Sequence, residues 1–130
     1  MVIFRDARRD EVPQILALLA DDPVSASREA PLDDVYLAAF DDIAADPRNR
    51  LIVAEVDGQV AGTLQLTLIP GLTRHGMLRG QIEGVRVAAG QRGQGLGRAI
   101  TNQTLSACQG IRARPASTRK ETPRDRATLR

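Results

Sequence analysis

The stretch best suited to chemistry runs Ala88-Ala89-Gly90-Gln91-Arg92-Gly93-Gln94-Gly95-Leu96-Gly97-Arg98. Gly93, Gly95 and Gly97 carry no Cβ, so the chain can turn tightly there and aim consecutive backbone N–H groups at one point. Such amides, converging beside a helix N-terminus, hold phosphate. A plain glycine-rich turn explains the same residues, and G-x-G-x-G alone does not choose between the two. A P-loop needs G-x-x-x-x-G-K-[ST], and the only lysine is Lys120, so that site is excluded. A dinucleotide fingerprint needs its glycine turn in the first β-α unit of a parallel sheet, with an acid roughly 20 residues on. Here the turn comes late, after a hairpin, which argues against it.

Other reactive side chains are scarce. Cys108 is the single cysteine and His75 the single histidine, so no internal disulfide and no Cys/His cluster exists. Structural zinc and a Ser-His-Asp triad are disfavoured, and no metal is expected. His75 reads as loop surface and Cys108 as an inert thiol.

The elements that must position the glycine turn follow from the apolar pattern. Val2-Ile3-Phe4-Arg5 opens as a strand. Val12, Ile15, Leu16, Leu18 and Leu19 then mark an amphipathic helix of about three turns, with Asp10, Glu11 and Pro13 near its start and its end near Asp21-Asp22-Pro23. Leu32, Val35, Tyr36, Ala39, Phe40 and Ile43 repeat at helical spacing between Pro31 and Pro47, giving a second helix with Tyr36 and Phe40 as core or pocket wall. Residues 51–56 and 60–68 read as two antiparallel strands joined by Asp57-Gly58, a pair suited to a tight hairpin. Pro70-Gly71 stops the second, a loop carries Thr73, Arg74 and His75, and a strand from about Leu78 to Val87 leads into the glycine turn and a helix near Leu96 to Cys108.

At 130 residues the chain suits one domain. Apolar residues make up 42% and aromatic residues 2%, so the core must be aliphatic, as in a mixed α/β domain. No run approaches the roughly 20 apolar residues that span a bilayer, and no basic segment precedes an apolar one at the N-terminus; a soluble, cytoplasmic protein without membrane contact is expected. The pI near 9.3 would suggest nucleic acid. Residues 1–108, however, carry 11 basic and 14 acidic side chains, whereas 109–130 carry 7 and 2. The basicity lies in one terminal segment without aromatic residues, so nucleic acid is not an expected partner.

The strand end Val85-Arg86-Val87 followed by Arg92-Gly93-Gln94-Gly95-Leu96-Gly97 resembles the V-x-V strand and Arg/Gln-x-x-Gly-x-Gly loop of the GNAT superfamily of acyl-CoA-dependent N-acetyltransferases. The element order matches as well, and the resemblance covers residues 2 to about 108. It implies an α/β fold with a mixed, mostly antiparallel sheet flanked by helices. It also implies acetyl-CoA as co-substrate and a primary amine of a small molecule or peptide as acceptor. Carried over, Val85, Arg86 and Val87 line the pantetheine arm, while Arg92, Gly93, Gln94, Gly95, Leu96, Gly97 and Arg98 surround the pyrophosphate. The Val87 N–H becomes the donor to the thioester carbonyl, worth about 3 kcal/mol. Glu83 becomes the base that deprotonates the attacking ammonium, directly or through water; its bland alternative is a solvated strand carboxylate. Arg79 and Arg86 either steer anions or simply face solvent.

The resemblance stops near Gly110, making 1–110 the domain and 111–130 a basic tail. Residues 111–130 are rich in Arg, Pro, Ala, Thr and Ser with two large apolar residues, a composition no buried strand fits. The family's usual C-terminal strands and thiolate-protonating tyrosine lack counterparts here, the only tyrosine being Tyr36. With 17 arginines to 1 lysine, the tail reads as GC-rich coding sequence translated out of frame; recovery of a strand and an aromatic-bearing helix from another frame is the test. A missing strand beside Val87 would leave an edge prone to self-pairing, so a homodimer is an expected state. Two rival functions remain at this point: a non-catalytic acyl-CoA-binding or regulatory module, and an interaction protein acting through its basic tail.

Overall fold

A computed structural model of the chain describes residues 1–21 and 32–112, with side chains as far as residue 106. Four strands form one antiparallel sheet in the order β1 (Val2–Asp6), β2 (Asn49–Val56), β3 (Gln59–Pro70), β4 (Leu78–Val87). Helices α1 (Val12–Ala20) and α2 (Asp34–Ala45) connect β1 to β2, and α3 (Leu96–Arg112) follows β4. Each expected element is present.

The β2–β3 hairpin forms because Asp57 and Gly58 both accept positive φ, 51° and 79°, the two left-handed residues a type I′ turn requires. Within β3 the side chains alternate. Gly62, Leu64, Leu66 and Leu68 are buried; Ile52 and Ala54 of β2 share their face by register. Leu96 and Ile100 of α3 complete that aliphatic core, with Phe4, Ile82 and Val87 packed at its margin. Leu64 and Ile100 have no exposed surface. Burying such side chains contributes roughly 1.5–3 kcal/mol each, which anchors the first turns of α3 against the sheet. Gly62 lies close to its neighbours: a Cβ there would be in contact with Ala54 Cβ and the Arg86 carbonyl at 3.4 Å and with Leu96 Cδ2 at 3.6 Å.

The opposite face carries α1 and α2. Val12, Ile15 and Leu18 of α1 are buried. α2 starts at Asp33, whose carboxylate accepts from the Val35 and Tyr36 amides at 3.0 and 3.2 Å, a standard N-cap. Its apolar stripe is covered only in part: Tyr36 and Phe40 are half-buried, whereas Val35 is 74% exposed.

Glu11 does more than favour the dipole of α1. Its carboxylate is buried at the head of the helix, accepting from Arg5 Nη1 and Nη2 at 2.7 and 2.6 Å and from the Arg8 amide at 2.8 Å. Arg5 also reaches Glu55 on β2 at 3.1 Å. This network fastens β1, α1 and β2 together.

Candidate functional site

β4 carries the interruption that shapes the site. Thr63 pairs with Arg86 and Gln65 with Glu83, leaving Gly84 and Val85 both opposite Leu64. This two-against-one step is a β-bulge, and Gly84 holds φ +63°, a dihedral that suits glycine. The bulge was not anticipated from sequence, although a glycine inside an apolar strand is its usual signal.

Beyond the bulge, Ala88 N–H donates to Ala61 carbonyl at 2.8 Å and Val87 lies opposite Gly62. Alternation in an antiparallel ladder then turns the N–H and carbonyl of Val87 away from β3, toward the outer edge. No other strand pairs with that edge among the described residues. The Val87 side chain packs toward the core, where its Cγ2 would meet a Cβ at Gly97 at 3.5 Å. Val85 is exposed. Arg86 is half-buried rather than solvated and donates from Nη1 to the Val85 carbonyl at 2.9 Å; Arg79 is exposed.

The chain next makes one 3-10 turn, Ala89–Gln91, and enters α3 through the glycine run. Gly93 and Gly95 adopt φ +80° and +78°, and a Cβ built at either would meet nothing within 4 Å. The earliest regular bond at the head of α3 is from the Ala99 amide to the Gly95 carbonyl, 3.0 Å. Among the described residues, the amides from Gly93 to Arg98 make no backbone bond of ordinary geometry ahead of it. The run therefore offers donors, open space and the positive end of a 17-residue helix in one place. Leu96 is buried, so it contributes its amide alone, while Gln94 and Arg98 are exposed.

Arg92 acts through its side chain as well. Its Nε donates to the Val87 carbonyl at 3.2 Å, and its Nη2 reaches the Asp21 carboxylate at 2.9 Å. The strand end, the loop and the end of α1 are thus tied together by a contact spanning 71 positions, which no local sequence pattern announces. Beside it lies an open groove of about 470 Å³ lined by Gln14, Leu18, Asp21, Val60 and Ala88.

Glu83 is exposed on the face of the sheet that carries α1, and Gln81 Nε2 donates to its Oε1. With Ile15, Leu19, Leu51, Thr63 and Gln65 it lines a second cavity of about 130 Å³. Structure thus separates the expected residues into two groups: Val85, Val87 and Arg92 to Arg98 along the strand end and loop, and Glu83 before the bulge, facing α1, with Arg86 on that same face by register. His75 is exposed in a turn with φ +61°, and the Cys108 side chain lies outside the described residues. Among the described residues no group of His, Cys, Asp or Glu could hold a metal, and no helix is long and apolar enough to cross a membrane.

Comparisons with known proteins agree with this geometry. The family model described as acetyltransferase (GNAT) family matches residues 12–125, running 15 residues past the boundary that composition suggests. A transcriptional regulator from Bacillus halodurans C-125 is similar at 36% identity and a TM-score of 0.81, covering 85% of this chain and 76% of that one. An acetyltransferase from Trypanosoma brucei is 26% identical with a TM-score of 0.71, covering 85% and 76%. An integron cassette protein from the mobile metagenome of Cole Harbour Salt Marsh is also 26% identical, at 0.70, covering 85% and 72%. The curated proteins hold no match. The order of strands and helices, the glycine-rich entry to α3 and a family match over most of the chain lead to one statement: this chain belongs to the acetyltransferase (GNAT) family.

Proposed function

We propose that the chain is an N-acetyltransferase that moves an acetyl group from acetyl-CoA to a primary amine by direct attack. The family uses acetyl-CoA. The observation that carries the reading is the donor-rich, unobstructed mouth of α3 at Gly93 and Gly95. There the amides of Gly93 to Gly97 would hold the coenzyme pyrophosphate, the Arg92 amide expected to join them donating instead to the Ala89 carbonyl at 3.4 Å; Arg86 and Arg98 would add positive charge, and the edge from Val85 to Val87 would receive the pantetheine arm. The fit is supported by the outward direction of the Val87 peptide.

The chain's own groups then divide the reaction. Glu83 takes a proton from the ammonium, directly or through a water. The neutral nitrogen attacks the thioester carbon, and negative charge gathers on the oxygen beside the Val87 N–H. A preorganised donor there is worth about 3 kcal/mol. The nitrogen gives up its second proton to water, the carbon–sulfur bond breaks, and the thiolate takes a proton from solvent, since the only tyrosine, Tyr36, lies on α2.

Gly95→Glu tests the cofactor site, because it places bulk and a like charge where the diphosphate would lie. Calorimetry is expected to show coenzyme A affinity reduced by at least about 100-fold, close to 3 kcal/mol. Gly58→Glu is the control: Gly58 has φ +79° and open space in the hairpin turn, so it imposes the same backbone strain far from the loop. Equal binding by both variants would remove the placement.

A second reading follows from the Bacillus halodurans relative, which is named a transcriptional regulator. A chain that binds acyl-CoA as a signal would bind coenzyme A yet release no thiol with any amine tested.

A further inference from the structure

The cavity in front of Glu83 has an unusual wall. Asp46, at the end of α2, accepts from Asn49 Nδ2 at 2.9 Å. A carboxylate can only accept, so it fixes which way the Asn49 amide faces. Asn49 Oδ1 then accepts from Thr67 Oγ1 at 2.6 Å and from Gln65 Nε2 at 3.4 Å. The orientation passes along the row: Gln65 presents its NH2 group to Asn49, which leaves Oε1 as the atom able to accept. Gln65 stands directly opposite Glu83 across the β3–β4 ladder, and both line the cavity. The hydroxyl of Thr63, another lining residue, already donates to the Ile52 carbonyl at 3.1 Å. Arg86 is not among the lining residues.

The remaining wall is apolar, from Ile15, Leu19, Leu51, Leu64 and Gly84. Two neighbouring acceptors at one end and hydrocarbon at the other suit a cation on an apolar stem. The volume of about 130 Å³ is close to the roughly 150 Å³ of an apolar cavity that admits benzene, room for about six heavy atoms.

We propose that this cavity is the acceptor pocket, in which Gln65 Oε1 and the Glu83 carboxylate together seat a primary ammonium carried on a compact aliphatic stem. The inference rests on the acetyltransferase reading and adds to it a substrate class and a positioning residue, Gln65. Leu19, whose Cδ2 lies 3.6 Å from where a Cβ of Gly84 would sit, sets the depth.

The test uses the full chain, acetyl-CoA and a series of straight-chain primary amines from ethylamine to dodecylamine, with free thiol as the readout and coenzyme A binding measured separately. The expected optimum lies at or below about six heavy atoms. Gln65→Leu is expected to raise KM for the amine roughly tenfold while leaving kcat and the acetyl-CoA KM unchanged. Asn49→Leu acts in the same direction by freeing the Gln65 amide. Leu19→Ala moves the optimum to longer amines. An amine KM indifferent to Gln65→Leu, an optimum unmoved by Leu19→Ala, or no acceptance of any short amine by a chain that binds coenzyme A would overturn the pocket. Absence of coenzyme A binding by the wild-type chain would instead overturn the reading beneath it.

Discussion

The two faces of β3 differ more than any two elements of the molecule. On one, Gly62, Leu64, Leu66 and Leu68 close against α3. On the other, Thr63, Gln65 and Thr67 stand in a row with Asn49 and Glu83 by register, under α1 and α2, which leave cavities. On the proposed reading one strand serves as scaffold and as site, with a period of two deciding which residue does which. The closed face holds the head of α3 in place; the open face keeps polar atoms available. Rigidity behind and vacancy in front are what a transfer reaction needs, since donors must be fixed before charge develops.

If this division holds, damage to each face should be read by a different instrument. The largest effect is expected from Glu83→Gln on the open face. Removing a general base costs roughly 1,000-fold in kcat/KM, about 4 kcal/mol of barrier, and thermal unfolding should not move because Glu83 is exposed. A variant with full activity would return Glu83 to the status of a solvated carboxylate.

Next in size is Leu64→Ala on the closed face. Leu64 has no exposed surface, so the cavity left behind should cost roughly 3 kcal/mol in urea unfolding. Coenzyme affinity, measured well below the new midpoint, should be unchanged. Thr67→Val, two rows away on the open face, should cost under about 1 kcal/mol. Equal losses from the two would erase the distinction between scaffold and site.

Much of this was legible in the residues. The hairpin was fixed by Asp57-Gly58, the strand ending at Val87 by its apolar run, and the loop by glycines whose spacing and context matched a known pattern. What sequence did not supply was contact between distant segments: Arg92 meets Asp21 across 71 positions, and Gln65 meets Asn49 across 16. Long-range pairs of this kind depend on register and helix docking, which local propensity does not encode. Gly84 is an intermediate case: a glycine inside a strand is the usual mark of a bulge, yet the bulge was not anticipated, nor what it would aim. The tail from 113 onward lies outside the described residues, so its reading as out-of-frame sequence stands as a proposal for the gene to answer.

Between Leu64→Ala and Thr67→Val in size lies the seam that holds α1 to the sheet. The Arg5 guanidinium on Glu11, helped by the Arg8 amide, holds the Glu11 carboxyl at about 2, below its ordinary 4.5, against the opposing effect of burial. A carboxylate whose pKa is depressed on folding binds its proton more readily when unfolded. Its contribution is therefore complete above pH 4.5 and is lost as pH falls from there through 2. The size is on the order of 2 kcal/mol, from the shift discounted for partial solvent access. Denaturant midpoints of the wild-type chain and Glu11→Gln should differ clearly at pH 7 and converge as pH drops toward 2. A gap between the two midpoints that stays constant from pH 7 to pH 2 would mean that the Arg5–Glu11 pair contributes nothing through its charge.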